Sequence, residues 1–142
     1  MKTIKELLEE KGQEVHTIDP EASVYQALEE MAAREIGSLV VIDGPRPVGL
    51  ISERDYARSV VLRGRTSRDT PVRAIMTTRV VVATPNQTVD ECMALMTDKR
   101  VRHLPVMANG ELVGLISIGD LVKAIISEQQ YIIEQLEHYI SS

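Results

Sequence analysis

Gly49-Leu50-Ile51-Ser52-Glu53-Arg54-Asp55 is the segment that decides how the rest of the chain is read. It returns as Gly114-Leu115-Ile116-Ser117-Ile118-Gly119-Asp120, an offset of 65 residues between position 49 and position 114. Both copies read Gly-Leu-Ile-Ser-x-x-Asp. The alignment extends outward without a gap: Pro20 falls on Pro85, Val24 on Val89, Met31 on Met96, Leu39 on Leu104, Val41 on Val106 and Val48 on Val113. A fixed internal period marks one structural unit used twice, and it predicts pseudo-two-fold symmetry.

The apolar pattern gives both copies the same order of elements. Ser23 and Thr88 stand as helix caps. Behind them run the stripes Val24, Ala27, Leu28, Met31 and Val89, Cys92, Met93, Met96, spaced for one buried helix face. Leu39-Val40-Val41-Ile42 is a short apolar run suited to a buried strand, and Leu104-Pro105-Val106-Met107 is its counterpart. The turn chemistry of Asp43-Gly44-Pro45-Arg46-Pro47 and of Asn109-Gly110 joins each run to a second strand, Val48–Ile51 or Leu112–Ile116, in a hairpin. A helix follows each hairpin: in the first copy it is capped by Ser52, has Asp55 at its third position and continues through Tyr56 to Leu62 up to Gly64, and in the second it begins after Ser117 and runs to about Ile140. Val15–Ile18 reads as a short extended segment opening the first copy and Val80–Ala83 as a strand opening the second. Ile4, Leu7 and Leu8 mark a first helix ended by Gly12, and Pro71–Thr77 a single helical turn. The expected organisation is an N-terminal helix over 1–14, a first repeat over 15–63, a linker over 64–79, a second repeat over 80–127 and a C-terminal helical extension over 128–142. The fold class is α/β (α+β), with small sheets packed against helices.

Size and composition narrow the function. Each half of the 142 residues is near the size of about 60 residues at which a lone domain is marginally stable, so the halves are expected to share a core. Aromatic residues make up 3 %, with no Trp and no Phe, which argues against reading bases by aromatic stacking. The net charge of −5 argues against a general nucleic-acid binder. Cys92 is the single cysteine, so no intramolecular disulfide forms, in keeping with a reducing compartment. Met1 to Glu6 lack the apolar core of a secretion signal, and no apolar run approaches the ~20 residues of a membrane span. A soluble cytoplasmic protein is expected.

The last helix carries Val122, Ile125, Ile126, Ile132, Ile133, Leu136 and Ile140 at spacings of three and four. An apolar face of that length needs a cover. Either its own chain supplies one, through the N-terminal helix, or a second copy does, in a homodimer.

The repeated motif has two physical readings. Ser-x-x-Asp is a capping-box pattern, with Asp in place of the usual Glu. It also fits a nucleoside phosphate. The glycine lets a ligand approach the strand, the hydroxyl and helix N-terminus favour an anion, and the carboxylate accepts from a ribose diol, as acidic residues do in dinucleotide sites.

The combination resembles the cystathionine-β-synthase (CBS) domain, and the tandem resembles a Bateman module of the stand-alone type. The resemblance covers roughly Val15 to Ile126. It rests on the element order, the doubled motif, Ile75-Met76-Thr77 ahead of the second copy, and Arg102-His103-Leu104-Pro105-Val106. It implies repeats packed sheet to sheet about a pseudo-dyad, two clefts between them that take adenosine nucleotides, dimerisation, and regulation of some other protein. Carried over by position, it gives Asp120 the ribose and Ser117 the phosphate. Val82 and Thr84 then flank the base, Ile116 and Pro105 form apolar walls, and Arg102 and His103 serve as phosphate cations. In the first copy Asp55 and Ser52 remain, Asp19 and Ile18 take the flanking places, and Gly37-Ser38 replaces Arg102-His103. Arg54 and Arg58 are the substitute cations there, within a run of six arginines from Arg54 to Arg73. That run either reads further phosphates, such as those of ATP or NAD, or is a solvated linker.

Nothing in the sequence points to catalysis. Cys92 sits in a helix stripe, as buried cysteines do. His16, His103 and His138 are scattered and Asp98 lacks a third partner, so no metal or catalytic cluster forms. Asp55 and Asp120 belong to separate copies, which argues against a shared acid–base pair. The expected function is a non-catalytic sensor of adenosine nucleotides, with AMP the first candidate and ADP, ATP or NAD-type ligands the others. The alternative is a scaffold with empty clefts.

Overall fold

The computed structural model describes residues 2–12 and 14–141. Met1, Gln13 and Ser142, which fall in the terminal segments expected over 1–14 and 128–142, lie outside the described residues. The elements run α1 (Ile4–Lys11), β1 (Thr17–Ile18), α2 (Val24–Arg34), β2 (Ser38–Asp43), β3 (Arg46–Ser52), α3 (Glu53–Tyr56), α4 (Val89–Lys99), β4 (His103–Ala108), β5 (Glu111–Ser117) and α5 (Ile118–Ser141). A π-helical stretch, Ala57–Val61, continues α3, and a 3-10 turn, Val72–Ala74, precedes the second repeat.

The sequence duplication is a structural one. In the first repeat β2 pairs antiparallel with β3, with Ser38 opposite Ser52 and Val41 opposite Gly49; in the second β4 pairs with β5, with His103 opposite Ser117 and Val106 opposite Gly114. A bulge follows Val41 in one and Val106 in the other. The second hairpin turns through Asn109 and Gly110 at φ 53° and 78°, the left-handed pair that a two-residue hairpin of matching twist demands. Thr3, Ser23, Ser52 and Thr88 each close a capping box on the helix that follows, which satisfies two otherwise orphaned donors per helix.

Two expected elements differ. Val80–Ala83 is not a strand; only Ala83 forms a bridge, parallel to Val106. In the first repeat β1 pairs with β2 through both Thr17 and Ile18. The helix after the first hairpin is α-helical for four residues only and then widens, with Leu62 donating to the carbonyl of Ala57 and Arg65 to that of Val60. Such i→i+5 turns occur mostly as local bulges in helices.

The packing crosses between the repeats. Ile18, Val24, Ala27, Met31, Leu39, Val41, Ile51 and Val60 form the first core, and Val72 and Ile75 from the interrepeat segment complete it. The second core holds Ala83, Val89, Cys92, Met96, Leu104, Val106, Ile116 and Leu121, and α1 completes it with Ile4, Leu7 and Leu8. The segment preceding each repeat therefore packs into the other one. Backbone bonds fix the crossing: Ile4 N–H donates to Gln87 O at 2.8 Å and Val89 N–H to Lys2 O at 3.0 Å. The halves do not share the one core expected from their size; each has its own, completed by the segment that precedes the other.

The glycine of the motif makes room for these crossing segments. A Cβ on Gly114 would stand 2.6 Å from Leu8 Cδ2, and one on Gly49 would stand 2.6 Å from Met76 Sδ and 2.9 Å from Thr77 O. Cys92 is fully buried in the second core, and burial pushes its thiol up to about 11, so it is packing and not a nucleophile.

Helix α5 joins the second core through Leu121, Ala124 and Ile125, with its first turns beside α1. From Ile126 onward every described residue is exposed, with Ile133 at 54 % and Leu136 at 56 %. The N-terminal helix thus covers the start of the stripe and leaves its outer half open. Among the described residues no helix is long and apolar enough to cross a membrane.

Candidate functional site

The motif's serine and aspartate act first on their own helices. Ser52 N–H donates to Asp55 Oδ2 at 2.9 Å, Ser52 Oγ does so at 3.0 Å, and Asp55 N–H returns a bond to Ser52 Oγ at 3.2 Å. Ser117 N–H donates to Asp120 Oδ2 at 2.8 Å and Asp120 N–H to Ser117 Oγ at 3.1 Å. The capping reading is realised in both copies. It does not consume the carboxylate, which has about four lone-pair sites.

Two clefts lie at the seam, and each is walled by both repeats. The first has a volume of about 540 Å³. Ser52, Arg54, Asp55 and Arg58 enter it from the β3–α3 junction, Thr77 and Arg79 from the interrepeat segment, and Arg100, Arg102 and His103 from the second repeat ahead of and into β4. The second, about 470 Å³, takes Leu115 and Ser117 from β5, Lys11 to His16 (Gln13 aside) from the segment after α1, and Ile36, Gly37 and Ser38 from the first repeat. The two linings correspond through the 65-residue offset, so the clefts are pseudo-symmetric. Both volumes are in the range of about 300–1,000 Å³ usual for small-ligand sites.

This crossing reassigns several residues. Arg102 and His103, matched from sequence to Asp120, line the cleft of Asp55, although His103 also reaches the second cleft. Ile116 points into the core, fully buried, and it is Leu115 that faces the second cleft, because side chains alternate along a strand. Pro105 is buried in β4 opposite Leu115. Val82 and Thr84 are exposed, and Thr84 N–H is bonded to Gln87 Oε1 at 2.9 Å; neither borders a described cleft. Ile18 and Asp19 line a separate groove along α2, where Asp19 Oδ1 caps the N–H of Glu21 at 2.7 Å.

The arginine run also divides. Arg54 and Arg58 line the first cleft, Arg68 stacks over Tyr25 at 4.0 Å and Arg73 pairs with Glu21 at 2.9 Å. Arg79 and Arg100, which were not singled out from sequence, join the cleft instead. Their signal was available in the repeat itself: position 79 aligns with Glu14 and position 100 with Glu35. Arg100 and Glu35 both cap their helices in the left-handed region, each at φ 56°.

The second motif carries an unexpected partner. Lys11 Nζ donates to Asp120 Oδ2 at 2.5 Å and to Leu115 O at 2.7 Å. Burial pushes the Asp120 carboxyl up, but the Lys11 bond, the Ser117 N–H and the Lys11 charge together bring it below its ordinary value. In the first repeat the carbonyl equivalent to that of Leu115 belongs to Leu50 and accepts from Thr77 N–H at 2.8 Å. Burial, followed by the Lys11 and Arg102 charges, holds the His103 imidazole below its usual range, with Asp120 opposing. His103 is therefore neutral near pH 7, and the positive charge of the first cleft comes from its arginines. Among the described residues no group of His, Cys, Asp and Glu has the arrangement of a metal site.

The CBS domain family model matches residues 4–62 and 72–127. The mitochondrial CBS domain-containing protein CBSX3 of Arabidopsis thaliana is 36% identical over 149 residues, spanning 97% of this chain and 71% of that protein. A CBS-domain protein of Burkholderia ambifaria MC40-6, provisionally described as acting in signal transduction, superposes with TM-score 0.81 at 48% identity, covering 89% of this chain and 96% of its own. A hexameric CBS-CP12 protein from bloom-forming cyanobacteria superposes with TM-score 0.73 at 28% identity, covering 84% and 70%.

Proposed function

Because the chain belongs to the CBS-domain family, we propose that it is a non-catalytic regulatory module that senses adenosine nucleotides. AMP, ADP, ATP or an NAD-type ligand binds between the repeats, shifts one half against the other, and a partner protein reads the shift. The observation that carries this reading is that each cleft draws its walls from both repeats. A ligand there contacts both halves at once, and its affinity must differ between arrangements of the halves, which is the requirement for a ligand to move an equilibrium. Asp55 supplies a carboxylate for ribose hydroxyls and the arginines supply phosphate contacts. The signal-transduction description of the Burkholderia relative is in line with such a role, and we place the protein in the cytoplasm.

The exposed outer half of α5 supports self-association, and the hexameric relative makes an assembly of copies the partner of choice. Nucleic acid and membrane are not proposed partners.

Calorimetry with AMP, ADP, ATP and NAD tests the reading. Binding is expected, weakened at least about tenfold by Asp55→Ala in the first cleft, with Asp120→Ala reporting on the second. A melting temperature that moves with none of these ligands contradicts it, since a ligand specific for the folded state must stabilise that state. The scaffold with empty clefts would then stand.

A further inference from the structure

The two clefts share one backbone plan, so the duplication serves as its own control for side-chain chemistry. Five arginines line the first cleft: Arg54, Arg58, Arg79, Arg100 and Arg102. The positions aligned with them by the 65-residue offset hold Gly119, Lys123, Glu14, Glu35 and Gly37. Five positive charges on one side thus face one positive and two negative charges at equivalent places on the other. At four of the five positions positive charge is confined to the first side. Among the described residues none of the five arginines takes part in an ion pair, whereas Arg34 and Arg73 each meet a glutamate. The five arginines border one concave space in which Asp55 is the single acidic lining residue.

The second cleft differs in a further way. Asp120, the acceptor that matches Asp55, lines a groove beside α1 and not the second cleft, and Lys11, which lines both, bonds Asp120 and the Leu115 carbonyl. Lys11 is held in place by its helix, since Ile4, Leu7 and Leu8 of α1 are buried in the second core. The residue aligned with Lys11 is Met76, whose thioether packs under Gly49 and offers the first cleft no competing cation.

We propose that each chain takes one nucleotide polyphosphate, held in the arginine cleft, while Lys11 keeps the equivalent second cleft closed to it. The proposal deepens the nucleotide-sensing reading and rests on it. A phosphate monoester carries about two negative charges near neutrality, which two guanidiniums balance. Five exceed what a nucleoside monophosphate needs and match a chain of two or three phosphates. Each planar fork takes a pair of phosphate oxygens, and Asp55, the acidic lining residue, is left for the sugar.

The test is calorimetry on the full chain without divalent cations, using AMP, ADP, ATP and inorganic triphosphate. One ATP per chain is expected, bound at least about tenfold more tightly than AMP, with ADP between. Arg54→Gln/Arg58→Gln is expected to remove the preference for ATP over AMP. Arg63→Gln/Arg65→Gln removes the same charge from exposed residues outside the cleft and is expected to leave affinity within about a factor of two. Circular dichroism and melting confirm that both variants are folded. AMP binding as tightly as ATP, two ATP per chain, or equal losses in both double variants would overturn the proposal. Inorganic triphosphate binding as well as ATP would sink the nucleotide reading and leave the arginine cleft standing as an anion site. No binding of either would sink both.

Discussion

Lys11 Nζ and Asp120 Oδ2 meet at 2.5 Å across 109 positions of sequence. Asp120 and Asp55 occupy the same place in the same repeated motif, yet their surroundings differ through what a crossing segment delivers: a lysine to one and, at the aligned position, Met76 to the other. The two copies of the motif are chemically distinct for that reason.

Lys11→Met makes the second copy like the first. The pair is partly exposed, with side chains at 39 % and 24 %, so solvent screening keeps its worth in the surface range and the variant is expected to lose about 0.5–1 kcal/mol. The folded-state pKa of Asp120 is depressed. The stability it contributes is present above its unfolded value of 3.8 and is lost as pH falls through the folded value. Urea denaturation of the two proteins is expected to differ at pH 7 and to converge below pH 3.8. An equal gap at both pH values would show that the pair is not the cause.

On the proposed reading, His103 makes binding in the first cleft depend on pH. Burial first, then the charges of Lys11 and Arg102, lower its pKa from 6.5, against the pull of Asp120. In the free protein the stability tied to the neutral imidazole is present above 6.5 and is lost as pH falls through the folded value. A phosphate in the first cleft favours the protonated ring, so binding takes up protons. Affinity for ATP is expected to rise as the pH is lowered from about 8 to 6, and to flatten in His103→Gln, as titrations in buffers of different ionisation enthalpy would reveal. A flat wild-type profile would remove His103 from the anion contacts.

The two motif glycines are not equally replaceable. The Cβ of Gly49→Ala meets Thr77 O as well as Met76 Sδ, and that carbonyl is fixed by its bond from Leu50 N–H at 3.0 Å. The nearest atoms to the Cβ of Gly114→Ala are Cδ2, Cδ1 and Cγ of the Leu8 side chain, with no backbone among them. Overpacking costs about 1–3 kcal/mol. Gly49→Ala is expected near the top of that range and Gly114→Ala near the bottom, measured as denaturant midpoints at constant m value. The reverse order would mean that the crossing backbone at Thr77 yields more easily than the buried Leu8.

Arg100 stands in the left-handed region where a side chain costs about 1 kcal/mol, and glycine is the residue that region favours. Arg100→Gly is expected to gain up to ~1 kcal/mol of stability and to bind ATP more weakly. Glu35→Gly relieves the same backbone on the other side and is expected to stabilise without weakening ATP. Melting curves and calorimetry on both variants separate strain from ligand contact; equal effects on binding would deny Arg100 a part in the cleft.

The outer half of α5 bears Ile132, Ile133, Leu136 and Ile140, all about half exposed or more. Ile133→Asp/Leu136→Asp places charges in that stripe. Sedimentation equilibrium is expected to show an assembly in the wild type and a monomer in the variant, with unchanged helix content. A monomeric wild type would leave the stripe without a second copy as its cover.

Much of the fold could be read from local pattern. The hairpin at Asn109-Gly110, the caps at Ser23 and Thr88, the buried stripes of α2 and α4, and the register of Gly49 and Gly114 all follow from residues within a few positions of one another. Local rules fail where the cause lies elsewhere. Ala83 is limited to a single bridge although its neighbours are valines, because strand length depends on the partner presented. The segment from Ala57 to Val61 widens to π geometry with no proline or glycine to announce it. The site was less legible than the fold. The motif singles out Ser52, Asp55, Ser117 and Asp120, of which the first three line the clefts; Arg102 lies on the side of Asp55 and not of Asp120, and Arg79, Arg100 and Lys11 were not singled out. Their roles depend on which segment crosses to which repeat.

The 65-residue period determined, without coordinates, that one unit is used twice, where its strands turn and where its helices start. Hydrophobic spacing and turn chemistry act over a few residues, and those few residues are printed in the chain. Only the tertiary structure decided that Arg102 shares a cleft with Asp55 and that Lys11 sits on Asp120. Each half is too small to close its own core, so the segment before it is lent to the other half. That exchange brings together side chains that no local pattern relates.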